Sequence, residues 1–467
     1  MEINTQNWPV AIRIIHLKGG ARAINNPGPT VIIRPQTIDR KELKLQLKTY
    51  GSIFSNLEAL GFDIIGTDFY TNDSEIAGNA PPQWQPFHRQ QETVWPTTKV
   101  TQLWRQIAHA SFKKEQGYLW DISSRIAHQL RVVGWRFREI SEFYHIQSRS
   151  IVNRGNFEEG IMFEDRNTWF IYNALQTFLV DACILRDYMA EFAGNAIFRE
   201  RYKIPKKSIT SISGLIENVL NKISEQDPLL IQFKVSTNNG GWIKTLGNYR
   251  NLIVHSAPLA YAEKKLFIVC RTYKIKQNTK LPAIHCPIPD DPGHIQISRA
   301  NGIHFENFSD QFDKFTKAVR GEIPSLDGID YAHMVLRYLV DFSKMLAEES
   351  PVKPENIVIN KSDIIEPIKR EHPTNQARHE NKILERNFLI YFTPDGGVYY
   401  THSAHAAEMY FEEIFYPVTT EKIKEYLEQH SGKAMSAVFV GLKSVDEIET
   451  EKLITVAEDL YRHPTNS

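Results

Sequence analysis

The stretch RNTWFIYNALQTFLVDACILRDYMAEFAGNAIF, residues 166–198, constrains the fold more than any other part of this chain. It reads as one long helix with apolar residues on most of its sides, which water cannot surround cheaply. Such a helix belongs inside a helical bundle or at a subunit interface. The chain around it has 467 residues, more than a single hydrophobic core sustains, so two or three domains are expected. Apolar residues make up 42% and charged residues 24%, enough for sizeable cores and too little charge for wholesale disorder.

Charge and cysteine content narrow the setting. Lys plus Arg and Asp plus Glu both number 55, so no global field draws the chain to nucleic acid and any such binding must come from a local patch. Only Cys183, Cys270 and Cys286 occur, without a CxxC pair, which fits a reducing, cytoplasmic compartment. The N-terminus lacks the charged-then-apolar order of a signal peptide, and no membrane span is expected.

The overall expectation is a mainly α protein: a central helical domain flanked by small α+β modules. Residues 8–35 hold two β-rich runs around a Gly/Asn/Pro turn and predict a hairpin. Residues 39–62 have roughly helical apolar spacing, and the Pro-, Gln- and Trp-rich residues 72–98 read as a joining loop. These make a small N-terminal α+β domain over 1–98. From 99 to 350 the pattern is mostly helical, interrupted by a strand-like and loop-like insertion near 262–327. Residues 211 or 213, both Ser, are candidate N-caps of one of these helices. Residues 351–380 are polar and Pro-containing and read as a linker. The remainder, 381–467, predicts a second α+β module, with a hairpin turning at Asp395-Gly396-Gly397 and a strand in AMSAVFVGL.

Within the helical region, GNYRNLIVHSAP (247–258) places Arg250, Asn251 and His255 among apolar residues, where polar groups are costly unless used or satisfied. Asn251 and His255 are four apart and lie above one another on a helix, whereas Arg250 and His255 stand about 140° apart, so Arg250 flanks the pair. Pro258 disfavours helix at Ala257, which ends the helix near Ser256 with His255 in its last turn. Taken alone, a His near a helix C-terminus is also a common stabilising choice.

The pattern Arg-Asn-x3-His late in an all-helical unit resembles the Arg-x4-6-His motif of the HEPN superfamily. The corresponding bundle pieces are 166–198, 208–224, 242–256 and 328–349, so the resemblance covers at most residues 160–350. It implies a metal-independent endoribonuclease needing no cofactor, with Arg250, Asn251 and His255 catalytic, in defence or toxin systems. It also implies a homodimer through the helical domain that brings two motifs into one groove. The same resemblance allows a non-catalytic nucleotide-binding or dimerisation module. The chain departs from many toxin-type members in having Ala257 where they carry a Tyr, and in its long insertion. A second Arg-x4-His match, Arg299 to His304, has Gly302 inside it and no Asn after the Arg.

The chemistry suits these residue types. RNA carries its own nucleophile, the 2′-hydroxyl, so catalysis needs proton transfer and charge stabilisation rather than a metal-bound water. An imidazole can supply the first and a guanidinium the second. Candidate RNA contacts lie in RVVGWRFREISEFYHIQSRS, where Arg131, Arg136 and Arg138 interleave with Trp135, Phe137 and Tyr144, and in a basic strip beginning with Lys264 and Lys265. Asp181 and Asp187 are polar positions of the apolar helix that could approach the motif. A regulatory protein partner is a further expectation for the flanking modules. No metal is expected: Cys270, His285, Cys286, His294 and His304 match no four-ligand spacing, and His402, His405 and Glu408 lack a further ligand. No phosphate-binding Gly-rich motif occurs.

Overall fold

Alternating apolar residues build the first part of the chain into a sheet. In the computed structural model, Ile12–Leu17 (β1), Arg22–Asn25 (β2), Thr30–Arg34 (β3), Leu43–Gln46 (β4), Ile64–Tyr70 (β5) and Gln83–Pro86 (β6) form an antiparallel sheet in the order β4-β3-β2-β1-β5-β6. The structure describes residue 9 and residues 11–355, apart from 91–92, 156, 205–207, 225, 260–266, 277–278 and most of 304–325, together with three strands at 386–392, 398–401 and 437–442. Ile15, Leu17, Ala23, Val31 and Ile33 point to one side of the sheet and bury there with Ile53 and Leu57 of α1 (Ile53–Ala59), the period-2 pattern of a half-buried sheet.

Three expectations for this region change. The hairpin over 8–35 is a three-stranded meander. Gly19 and Gly20 both take positive φ between β1 and β2, and a Cβ on Gly20 would lie 2.6 Å from the Tyr144 carbonyl oxygen, so only glycine lets this turn seat against the helices. The helix expected over 39–62 is confined to α1, because Leu43-Lys44-Leu45-Gln46 alternates and pairs with β3. The joining loop of 72–98 contains α2 (Asp73–Ile76) and β6, which pairs with β5.

Helices dominate the middle of the chain: α3 (Pro96–Lys113), α4 (Gly117–Asn153) and α5 (Arg166–Phe192). Helix α5 runs through a π turn at Ala193–Phe198 into α6 (Arg199–Tyr202). There follow α7 (Ile212–Leu215), capped by Ser211 through the Gly214 amide, α8 (Pro228–Thr237) and α9 (Trp242–His255). Strand β7 (Met162–Phe163) joins β8 (Ile268–Lys274) and β9 (Lys280–His285) in a three-stranded sheet. Strand β10 (Pro287–Ile288), α10 (Pro292–Ala300), β11 (Leu326–Asp327) and α11 (Gly328–Glu348) close this part of the chain.

Helix α5 packs against α4, α7, α9 and α11, so the other three pieces of the expected bundle all contact it, as does α4. Its apolar sides are spent on the protein's own core: Ile171, Leu175, Phe178, Leu179, Leu185 and Met189 are all at most 1% exposed. Trp169 and Phe170, near its N-terminal end, are 59% and 51% exposed, so the helix serves the core along most of its length and keeps an uncovered apolar end. The protein is α-rich with α+β parts.

The boundary expected near residue 98 is crossed by contacts. Met1–Ile357 forms one compact unit and Val358–Ser467 another, so the division falls within the expected linker. What joins sheet to helices in the first unit is partly apolar and partly ionic. The Trp84 indole N–H donates to the Gly134 carbonyl at 2.7 Å, and the Arg138 guanidinium forms a two-pronged bond with Asp68 on β5, 2.7 Å on each side. In the second unit, β12 (Arg386–Phe392) pairs antiparallel with β13 (Val398–Thr401) and β14 (Ala437–Leu442). The expected hairpin and the AMSAVFVGL strand are thus present, while the expected turn and helices of that unit lie outside the described residues.

Candidate active site

Helix α9 carries the motif, and its ends follow from its sequence. Gly241 is the N-cap, in extended conformation, where a Cβ would lie 2.3 Å from the Ser236 carbonyl oxygen. At the other end the Leu252 carbonyl accepts from the Ser256 and Ala257 amides, and Pro258 follows, leaving His255 in the last turn as the sequence predicts. Ile243, Leu246, Tyr249 and Leu252 are buried, and the Tyr249 hydroxyl donates to the Pro289 carbonyl. These anchors fix the helix, and with it the face bearing Gly247, Arg250, Asn251 and His255.

On that face Arg250 lies between the other two. Its Nη1 donates to Asn251 Oδ1 at 3.2 Å and approaches His255 Nε2 at 3.2 Å. A guanidinium has only donors, so Nε2 accepts and this arrangement places the imidazole proton on Nδ1. The helical angle put Arg250 to one side of the Asn/His pair; the length of its side chain brings the charged end across it. Arg250 and Asn251 are half-buried and His255 is exposed. The cluster can therefore meet a large polyanionic ligand without opening the core.

A second guanidinium stands behind this face and was not singled out in the sequence. The Arg186 Nη1 lies 3.1 Å from where a Cβ on Gly247 would sit, and Arg186 is 9% exposed. It forms an ion pair with its neighbour Asp187, at 3.0 Å. An arginine amid the apolar run ACILRDYM was the available signal. Cys183, one turn before it, has its thiol pushed up to about 11 by burial, against the pull of the Arg186 and Arg250 charges, so it is inert as a nucleophile at neutral pH.

The other expected contacts divide. Asp181 holds Arg136 at 2.9 Å and Gln129 at 3.2 Å, and Asp187 accepts from the Ile212 amide at 3.1 Å, so both acids are engaged in joining helices. Arg136 also pairs with Glu139, and Arg138 with Asp68. These two arginines are therefore structural ties, and the expected single-strand grip of Arg131, Arg136 and Arg138 does not assemble on one surface. Arg131 alone of the three is exposed and stands in no ion pair or hydrogen bond among the described residues. Lys264 and Lys265 lie outside the described residues.

One cluster has metal-like geometry: His16, Asp68 and Glu142 present ligand atoms within 4.8 Å of one another. It is already neutralised. Arg138 pairs with Asp68, Arg22 with Glu142 at 2.6 Å, and the His16 ring bonds Ser141 at 2.9 Å and Asp68 at 3.1 Å. Burial and the Arg22 charge hold His16 below its ordinary range, so it is neutral. Burial alone would raise the Asp68 carboxyl, but hydrogen bonds from His16 and Arg138 outweigh it and bring it down to about 2. A cation would have to displace two guanidinium groups. Cys183, Cys270 and Cys286 are buried free thiols, and His402, His405, Glu408 and His304 lie outside the described residues.

A second buried group clamps α4 to α11. The Tyr144 hydroxyl donates to Asp327 Oδ1 at 2.6 Å and accepts from the Ile329 amide at 3.1 Å, while the Cys286 amide donates to the same carboxylate oxygen at 3.0 Å. Burial pushes the Asp327 carboxyl up to about 6 and the His285 imidazole, 3.8 Å away, down to about 4.

Comparison of the chain with protein-family models, curated proteins and solved structures finds no match in any of the three. One stretch among the described residues, Arg166–Tyr202, has the length and composition to cross a membrane. Its α5 portion is the core helix described above.

Proposed function

We propose that the α9 face is the active site of a metal-independent endoribonuclease of HEPN type, in a cytoplasmic protein. The observation that carries this reading is the placement of one guanidinium within 3.2 Å of both Asn251 Oδ1 and His255 Nε2 on an accessible helix end. An arriving phosphodiester draws Arg250 toward its non-bridging oxygens and frees His255 Nε2. The imidazole takes the proton of the 2′-hydroxyl, whose oxygen attacks the adjacent phosphorus. The 5′-oxygen leaves with a proton, giving a 2′,3′-cyclic phosphate and a 5′-hydroxyl. Asn251 orients the phosphate or the ring through its amide.

One imidazole cannot serve both sides of a phosphorus at once, so a second copy of the chain supplies the proton donor across a two-fold axis. The flanking modules would serve a trigger or a regulatory protein partner. A second reading, a nucleotide- or RNA-binding module without catalysis, is favoured by one specific feature: Arg250 occupies the lone pair of His255 that a base would need.

The test is cleavage of total RNA and tRNA by the purified protein in EDTA, with His255→Ala and Arg250→Ala alongside. Cutting that survives chelation and disappears in both folded variants supports the enzyme. Binding of RNA without cutting by folded wild type supports the module.

A further inference from the structure

The two long helices that precede α5 meet in a groove outside the α9 site. On α3, Arg105, His109 and Phe112 recur at spacings of four and three and share one face. On α4, Trp120, His128 and Arg131 recur at spacings of eight and three and share another. The helices pack as a hairpin through the turn after Lys113, and the two faces line a groove of about 430 Å³. That lies within the range of roughly 300–1,000 Å³ usual for small-molecule sites. Its floor is small, Ala108, Ser124 and Ala127, and no acidic side chain lines it among the described residues.

Three features of this groove have no structural use. Arg105 and Arg131 are exposed and neither takes part in an ion pair or hydrogen bond among the described residues, whereas Arg125, Arg136 and Arg138 on the same α4 are all held by carboxylates. Phe112 and Trp120 are 65% and 46% exposed, with ring centroids 5.9 Å apart and planes tilted by 56°. Uncovered aromatic rings of this size are costly to leave in water. The Nε2 of His109 is buried without a hydrogen-bond partner among the described residues.

We infer that this groove binds a nucleotide unit, with the base against Phe112 and Trp120 and the phosphate between Arg105 and Arg131. Aromatic faces accept any base by stacking, and guanidinium groups match phosphate oxygens in paired geometry. An apolar ligand would leave two charges unused, and a bare anion would leave two rings uncovered; a nucleotide satisfies both halves. The inference does not rest on cleavage at α9, since no lining residue belongs to that helix.

The experiment is isothermal titration of the full chain with AMP, adenosine and inorganic phosphate. Wild type is compared with Arg105→Ala/Arg131→Ala and with Phe112→Ala/Trp120→Ala, each confirmed as folded by circular dichroism. The expected result is saturable binding of AMP at least ten-fold tighter than either adenosine or phosphate, and weakened at least ten-fold in both double variants. A 5′-phosphorylated trinucleotide separates the sources: equal affinity assigns the groove to free nucleotide, and ten-fold tighter binding to the end of a strand. No binding of AMP, equal binding of adenosine or phosphate, or unchanged affinity in the arginine variant overturns the assignment. All four altered side chains are solvent-facing, so loss of binding with retained fold is informative.

Discussion

At the scale of single residues, the α9 cluster depends on shape as much as charge. Arg250 reaches Asn251 and His255 through a single nitrogen, Nη1, which leaves its other donors for paired contact with phosphate oxygens, a geometry that a lysine ammonium on a flexible stem does not reproduce. Arg250→Lys is therefore expected to lower the RNA cleavage rate by about 10²–10³-fold, the usual loss when a charge-stabilising donor is removed, with little change in thermal stability. Steady-state cleavage and a melting curve on the same preparation check both parts. Retained activity in the lysine variant would reduce Arg250 to a non-specific phosphate contact. The buried clamp makes a second residue-scale prediction. Tyr144→Phe removes the hydroxyl that serves both Asp327 and the Ile329 amide, and is expected to cost about 1–3 kcal/mol in urea unfolding.

At the scale of elements, the joint between β5 and α4 is the sensitive one. Asp68 is fully buried, and Arg138 and His16 both close on it. Asp68→Asn removes the nearer counter-charge of a largely buried guanidinium and leaves it only Glu142, at 3.7 Å, and is expected to destabilise the first unit by about 3 kcal/mol. Urea unfolding followed by near-ultraviolet and far-ultraviolet signals checks it; a change below 1 kcal/mol would mean that sheet and helices are held by apolar contacts alone. Local punctuation made several elements legible in the sequence. The end of α9 was readable from Pro258, the cap of α7 from Ser211, and the core character of α5 from its all-round apolar pattern. Strand β4 was missed because its charged, Leu-containing segment also suits a helix, and β6 because Pro86 and two glutamines disguise a strand that pairs along the edge of β5. The fates of Arg136 and Arg138 were not readable: their partners Asp181 and Asp68 lie 45 and 70 residues away. The α3/α4 groove was hidden for the same reason, since each helix supplies only half of it.

At the scale of the whole molecule, four histidines are held below their ordinary range: His16, His145 at about 3, His285 at about 4 and His333 at about 4. Burial is the leading cause in each, with the Arg22 charge adding to His16 and His145. A group depressed in the folded state stabilises above its unfolded value, near 6.5, and loses that contribution as pH falls. Asp327 and Asp330 are raised by burial and act in the opposite sense between about pH 4 and 6, but the histidines outnumber them. His145, His285 and His333 each remove on the order of 2 kcal/mol between pH 7 and pH 5, and His16 acts in the same direction, so the urea midpoint is expected to fall over that interval. A midpoint that rises or stays constant would mean that these imidazoles are charged in the fold. The central claim is that RNA supplies its own nucleophile to the α9 face. It is tested most directly by incubating one single-stranded sequence in EDTA as RNA and as its fully 2′-O-methylated counterpart. The expected result is cutting of the RNA with 2′,3′-cyclic phosphate ends and an intact methylated strand. Cutting of both strands, loss of cutting on chelation, or an RNA left whole by folded wild type would contradict it.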